Sequence, residues 1–362
     1  MTTMTETRAR ITGGVDTHRD VHVAAALDER GALLGTAEFD ATTSGYRNLL
    51  DWLEAFGDVG LVGVEGTGTY GAGLTRHLHD AGVTVIEVDR PNRQRRRRAG
   101  KSDTTDAVST ARAALSGEAS TAAKTRDGNV EKIRVLRIAR RSIVRERVRA
   151  INALRALIVT APPEVRDQLK GLTAIGVSQA VARFRVADPT TEIGALKYAM
   201  RSLGRRAETL RAEAKDLNAL LRTLIDDTAP ELLARPNIGV DAAGALLVAA
   251  GDNPERMRSE ASFAKLCAAA PMEASSGMVT RHRLSRAGNR EANAALFTII
   301  INRMGRDPRT RAYVTRRRAG NPLQPRDHPM PQALRRPRGL PTPHQRLDDI
   351  EELHYFPATA RW

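Results

Sequence analysis

The chain has 362 residues, 41% of them hydrophobic and 27% charged, with a formal net charge of +15 and a pI near 10.8. That length suits two or three domains with cores of their own, and an arginine-dominated excess of positive charge suits bidentate contacts to a polyanion. The single cysteine, Cys267, excludes a disulfide framework and a cysteine-rich zinc site and favours a reducing, cytoplasmic setting. No run approaches the roughly 20 apolar residues of a membrane span, and the opening MTTMTETRARITGG lacks the apolar stretch of a signal peptide.

From Ile11 to Asp40 apolar and polar residues alternate, with turn material at Asp28–Gly31, which predicts strands. SGYRNLLDWLEAFG then reads as a helix with a serine N-cap and a terminal glycine. GLVGVEGTGTY predicts a short buried strand ending at Glu65, GAGLTRHLHDAG a helix, and VTVIEVD another strand. Three antiparallel strands followed by alternating helix and strand is the order of an RNase H-like (RuvC-like) α/β domain, placed at residues 11–120. A helix carrying Asp103 and Asp106 would follow.

Beyond a polar break near TRDGN the pattern changes to that of long helices, over residues 128–228. EKIRVLRIARRSIVRERVRAINALRALIV contains no Gly or Pro and sets Leu136, Ile143, Val144, Val148, Ile151, Leu154 and Ile158 along one stripe, opposite an Arg-rich face. A second helix is expected from about Leu196 to Asp227, interrupted by Gly204. The two would form an antiparallel hairpin or a coiled-coil-like dimerisation arm. A mostly α C-terminal domain follows at 229–318. LLARPNIGVDAAGALLVAAGD is a helix–hairpin–helix candidate, whose turn amides would meet phosphate. Then come a helix over 259–270, a polar loop, and a helix in NREANAALFTIIINRMG.

The chemistry begins at RRRRAGKSDTTDA, residues 95–107. Arg95, Arg96, Arg97 and Arg98 form a phosphate-binding run, directly before two aspartates three positions apart on one helix face. Asp16 lies near the end of the first strand and Glu65 ends the fourth, and in an RNase H-like sheet those strands are neighbours. Four converging carboxylates repel one another unless cations sit between them. Two Mg²⁺ about 4 Å apart would fit, for phosphodiester cleavage.

GVDTHRDVHVAA, VEGTGTYGAGLTRHLHDAGVTVIEVDRP and KSDTTDA, in that order and spacing, resemble the DEDD transposases of insertion-sequence family 110. The resemblance implies a metal-binding tetrad of Asp16, Glu65, Asp103 and Asp106, and it places the lysine of the family's motif on Lys101. EASSGMVTRHRLSRAGNREANAAL resembles that family's serine-containing C-terminal transposase domain. Its nucleophilic serine falls on Ser276, with Ser275 the alternative, while Arg281, Arg283 and Arg290 lie in the matching basic stretch and helix start. The implied function is metal-dependent cleavage and rejoining of DNA at the ends of a mobile element. A structured guide RNA and a composite site shared within a homodimer or homotetramer are implied as well, with the protein at the bacterial nucleoid.

Two other classes share some of these features. An actin-like ATPase or sugar kinase has a first-strand aspartate and Gly-Thr turns like residues 66–69, but a second phosphate loop is lacking. A catalytically inactive nucleic-acid binder would share the basic charge, and the intact acidic residues and Ser276 count only partly against it. The tail, residues 319–362, is Pro- and Arg-rich and aperiodic, and it departs from the family's further basic helix, so it is expected to be disordered. A reading-frame shift would produce such a tail: codons for RDHPMPQALRRPRGLP can be chosen so that a neighbouring frame resembles the family segment.

Overall fold

The computed structural model describes residues 8–88, 102–253, 257, 259–273, 275, 282–284 and 288–320. They fall into two compact units: residues up to Gly128 together with 251–258, and the remainder.

The first unit is built on a mixed six-stranded sheet in the order β3-β2-β1-β4-β5-β6. Its strands are β1 (Arg10–Thr17), β2 (Val21–Leu27), β3 (Leu33–Asp40), β4 (Asp58–Glu65), β5 (Thr84–Val88) and the short β6 (Thr121–Ala122). β1, β2 and β3 pair antiparallel, as hairpin-connected neighbours must, whereas β4 joins β1 and β5 joins β4 in parallel through helical crossovers. The arrangement is compatible with the RNase H-like order expected from the sequence.

Both faces of the central strands are covered, so β1 and β2 are buried nearly throughout instead of alternating. Helices α1 (Thr43–Glu54) and α2 (Ala72–Asp80) contribute Leu49, Leu50, Leu53, Leu74 and Leu78 to a core with Ile11, Val15, Val62 and Val64. Helix α3 (Asp103–Leu115) covers the other face, where Ala107 meets Val23 and Ala25. The α1 cap differs from expectation. Thr42, in extended conformation, accepts the Gly45 N–H, and Ser44 lies inside the helix. Asn253, from the later segment of this unit, is buried and donates to the Ala123 carbonyl at 2.8 Å.

Gly14 and Gly63 are the points where α3 comes closest to the sheet. A Cβ on Gly14 would sit 2.5 Å from the Ala107 carbonyl oxygen, and one on Gly63 would sit 2.9 Å from that of Thr110. Neither obstacle is a movable side-chain tip.

The second unit is helical: α4 (Asn129–Thr160), α5 (Pro163–Asp167), α6 (Ala174–Ala182), α7 (Glu192–Thr228), α8 (Pro230–Ala234), α9 (Val240–Ala250), α10 (Glu260–Leu266), α11 (Arg290–Arg306) and α12 (Pro308–Gly320). The long helices α4 and α7 form an antiparallel hairpin. Leu154 packs with Val165, Val181 and Met200 at one end, and Val130 and Ile133 meet Leu221 and Ile225 at the other. Gly204 does not interrupt α7. It admits α6, whose Ala182 nitrogen lies 2.8 Å from where a Cβ would stand. Of the expected stripe, Leu154 is buried but Val148 is half exposed, because the seam passes through Ala150.

α8 and α9 are joined by a turn in which Asn237 has φ +67°, a left-handed conformation that asparagine tolerates better than most residues. The stretch expected as a polar loop holds an antiparallel pair, β7 (Pro271–Glu273) with β8 (His282–Leu284), too short to show a period in the sequence. Cys267 is buried in the core of this unit, and burial pushes its thiol up to about 12, which makes it a packing atom rather than a redox group. α12 runs to Gly320, and the expected disordered tail otherwise lies outside the described residues.

The tightness at Gly14 predicts that Gly14→Ala lowers stability by about 1–3 kcal/mol, the usual cost of overpacking. Urea unfolding followed by circular dichroism measures it, and an unchanged midpoint would show that α3 does not sit this close.

Candidate metal centre and nucleic-acid surface

Strand alternation decides which side chains face α3. Gly14 and Gly63 do, as their contacts with that helix show, so Asp16 and Glu65, two residues further along β1 and β4, point to the same side. The register that pairs Val15 with Val64 sets Asp16 beside Glu65, and the Thr17 hydroxyl donates to the Glu65 carbonyl at 2.7 Å.

α3 begins at the same edge. Ser102 takes the N-cap and accepts the Thr105 N–H, so Asp103 is not spent on capping. Asp103 and Asp106 therefore occupy the first helical turn, where the unpaired amides and the helix dipole favour negative charge. Asp16 and Asp106 are buried, at 6% and 4% exposure, whereas the Asp103 side chain is about half exposed, at 47%.

One residue not anticipated from the sequence joins them. His18, on the β1–β2 turn, places Nε2 3.3 Å from Asp16 Oδ2 and 3.5 Å from Asp103 Oδ2. One ligand atom from each of Asp16, His18 and Asp103 lies within 4.8 Å of the others, while Glu65 and Asp106 share the face but stand outside that set. The residues fit a divalent cation. Oxygen donors dominate, the cluster sits at a solvent-facing edge, and Nε2 of His18 is screened from solvent without making a hydrogen bond. The only sequence signal for His18 was its place two residues after Asp16.

The second unit carries a cavity of about 700 Å³ lined by Arg137, Arg140, Arg141, Arg222, Asn237 and Gly239, among others. Arg137, fully covered, lies 3.4 Å from Asp241 and 3.2 Å from Glu291; Arg140 reaches Asp241 at 3.0 Å and Asn218 at 2.6 Å; Arg141 pairs with Glu291. Asp241 and Glu291 occupy the first turns of α9 and α11, where helix dipoles favour them. Burial raises the Glu291 carboxyl, but Arg141 and Arg137 outweigh it and hold the group below its ordinary range. The sequence placed the α4 arginines on an outer face; three of them turn inward, because acids on the facing helices pair with them.

Of the expected nucleic-acid contacts, Arg283 is exposed on β8, and Arg290 is exposed at the start of α11, which Asn289 caps by accepting the Glu291 and Ala292 amides. Ser275 is exposed. Ser276, Arg281, Arg95, Arg96, Arg97, Arg98 and Lys101 lie outside the described residues. No helix among those described is long and apolar enough to cross a membrane.

Residues 13–163 match the family model of the DEDD transposases of the IS110 type, described as "Transposase", and residues 229–315 match that described as "Transposase IS116/IS110/IS902 family". The two segments, in this order, take up well over half of the chain. The chain belongs to the IS110 family of transposases. Among curated proteins it resembles the insertion element IS110 uncharacterized 43.6 kDa protein of Streptomyces coelicolor, at 30% identity over 129 residues, which is 35% of this chain and 32% of the relative. The similarity thus spans about a third of that relative's length. The family implies use of a divalent metal, for which Asp16, His18 and Asp103 are suitably grouped.

The Glu291 pairing gives a signed prediction. A carboxyl held below its ordinary value contributes stability above about pH 4.3, the unfolded value, and that contribution is lost as pH falls through the lower folded value. Glu291→Gln should therefore lower the thermal midpoint at pH 7 and reduce the difference from the parent protein as the pH approaches 3. A difference that stays constant across that range would mean that Glu291 acts by packing rather than charge.

Proposed function

We propose that the protein is a DNA transposase that cleaves and rejoins strands at the ends of an insertion sequence, with an RNase H-like domain as its metal-binding half. The observation that carries this reading is the gathering of Asp16, Glu65, Asp103 and Asp106 on one face of the sheet, where the first turn of α3 crosses the ends of β1 and β4. Three compact functions follow the chain: the tetrad domain at 11–120, the long helical region at 128–228, and the C-terminal transposase domain at 229–318.

In this reading the tetrad carboxylates would hold two divalent cations, which would supply Lewis-acid activation of the attacking oxygen and stabilisation of the leaving one. Asp16 and Asp106 are buried, whereas half-exposed Asp103 would be reachable by the nucleic acid. Ser276 is the nucleophile; its oxygen bonds to phosphorus as the strand's bridging oxygen leaves, so that a protein–DNA phosphodiester replaces the strand bond. Rejoining reverses the exchange with a new strand end. Arg281 and Arg283 offset the charge of the pentavalent phosphorus, and Arg95, Arg96, Arg97, Arg98, Lys101 and Arg290 bind the backbone. A guide RNA would share these contacts, and the helical hairpin would carry homodimer or homotetramer assembly.

Two variants test the reading. Asp16→Asn should abolish cleavage of element-end DNA while leaving salt-dependent DNA binding intact, because phosphate contacts and metal ligands are separate residues. Cleavage that persists in EDTA would contradict it. Ser276→Ala should remove a covalent adduct that, in the parent protein, mass spectrometry finds on the peptide spanning residues 274–281. An adduct on Ser275 would move the nucleophile by one residue, and strand cleavage with no adduct on either serine would assign the attack to water.

A further inference from the structure

His18 is not one of the four acidic residues, yet its geometry is that of a ligand. The backbone holds it in place: the His18 amide donates to the Val21 carbonyl at 3.2 Å, closing the β1–β2 turn. From there Nε2 lies within 3.5 Å of carboxylate oxygens from both Asp16 and Asp103. At such distances an imidazole N–H would ordinarily point at one of the oxygens. Here Nε2, although screened from solvent, makes no hydrogen bond.

Neighbouring ligands around an octahedral cation, with bonds of about 2.1 Å, stand about 3 Å apart. The two nitrogen–oxygen separations, 3.3 and 3.5 Å, are close to that spacing, and the complete three-atom set fits within 4.8 Å. Ligand atoms from Asp16, His18 and Asp103, two residues at the end of β1 and one in the first turn of α3, thus lie near enough together to hold one ion.

We propose that His18 is a nitrogen ligand of the metal centre, adding to the tetrad and shifting its preference from Mg²⁺ toward first-row transition ions such as Mn²⁺. Carboxylates alone suit Mg²⁺, whereas imidazole is a poor partner for it and a good one for transition ions. The inference rests on the tetrad reading above, and it concerns which cation the same site selects.

The test uses the full-length protein with Mn²⁺ as the probe, in the absence of DNA. Electron spin-echo spectroscopy of the Mn²⁺-loaded protein should show coupling to a directly bound ¹⁴N nucleus, lost in His18→Ala. Competition titration should show the Mn²⁺-over-Mg²⁺ preference falling about tenfold or more in His18→Ala. His18→Gln, which keeps size and polarity, should lose the nitrogen coupling while retaining Mg²⁺ affinity. Circular dichroism of both variants confirms that they are folded.

Bound Mn²⁺ without nitrogen coupling in the parent protein overturns the proposal, and so does coupling that survives in both variants. If Asp16→Asn abolishes Mn²⁺ binding while His18→Ala leaves preference and spectrum unchanged, the tetrad stands and His18 is no ligand. If the parent protein binds no Mn²⁺ at all, the tetrad reading falls along with it.

Discussion

The first unit depends on how closely α3 can lie on β1 and β4. Only a residue without a side chain fits beneath the helix at Gly14 and Gly63, where backbone atoms of α3 occupy the space a Cβ would need. That approach brings the N-terminal turn of α3 level with the ends of the two strands. Asp103 and Asp106 then face the side of the sheet that presents Asp16 and Glu65. A larger residue at position 14 would lift the helix, and the carboxylates would separate although none of them had changed. Packing therefore sets the electrostatics of the site.

The two units use helix N-termini in opposite ways. In the first, the start of α3 carries Asp103 and Asp106 in its first turn, and Asp103 lies with Asp16 and His18 in a group that could hold a cation. In the second, Asp241 and Glu291 sit at equivalent positions on α9 and α11 but are met by Arg137, Arg140 and Arg141 from α4. There the acids are structural: they anchor the long helix to two others and orient a cavity that remains rich in arginine. One arrangement suits a bound cation, and the other ties three helices together.

Much of this could be read from the residues. Asp16 and Glu65 at strand ends, and Asp103 and Asp106 one turn apart, were placed by alternation and helical spacing, and both signals survive in a fold whose central sheet is covered on each face. Other features depend on contacts between residues far apart in sequence. Arg137 looked like a surface charge because its partners, Asp241 and Glu291, are over a hundred residues away. The β7–β8 pair is three residues on each side and shows no period. Thr42 displaced Ser44 as the α1 cap because the extended backbone preceding the helix ends two residues earlier than a serine cap requires. His18 escaped notice because a lone histidine after a strand carries no pattern; it becomes informative only when the turn brings its Nε2 to Asp16 and Asp103.

The convergence of the two strands and the helix on one cation can be measured without any DNA substrate. Fe²⁺ bound in place of the native ion generates hydroxyl radicals with peroxide and ascorbate, and these cut the polypeptide only near the metal. The account predicts cuts at three separated places in one experiment, around Asp16–His18, around Glu65 and around Asp103–Asp106, all suppressed by excess Mn²⁺. Cutting confined to one of these segments, or absent from all three while the iron is bound elsewhere, would show that the carboxylates do not form a common site.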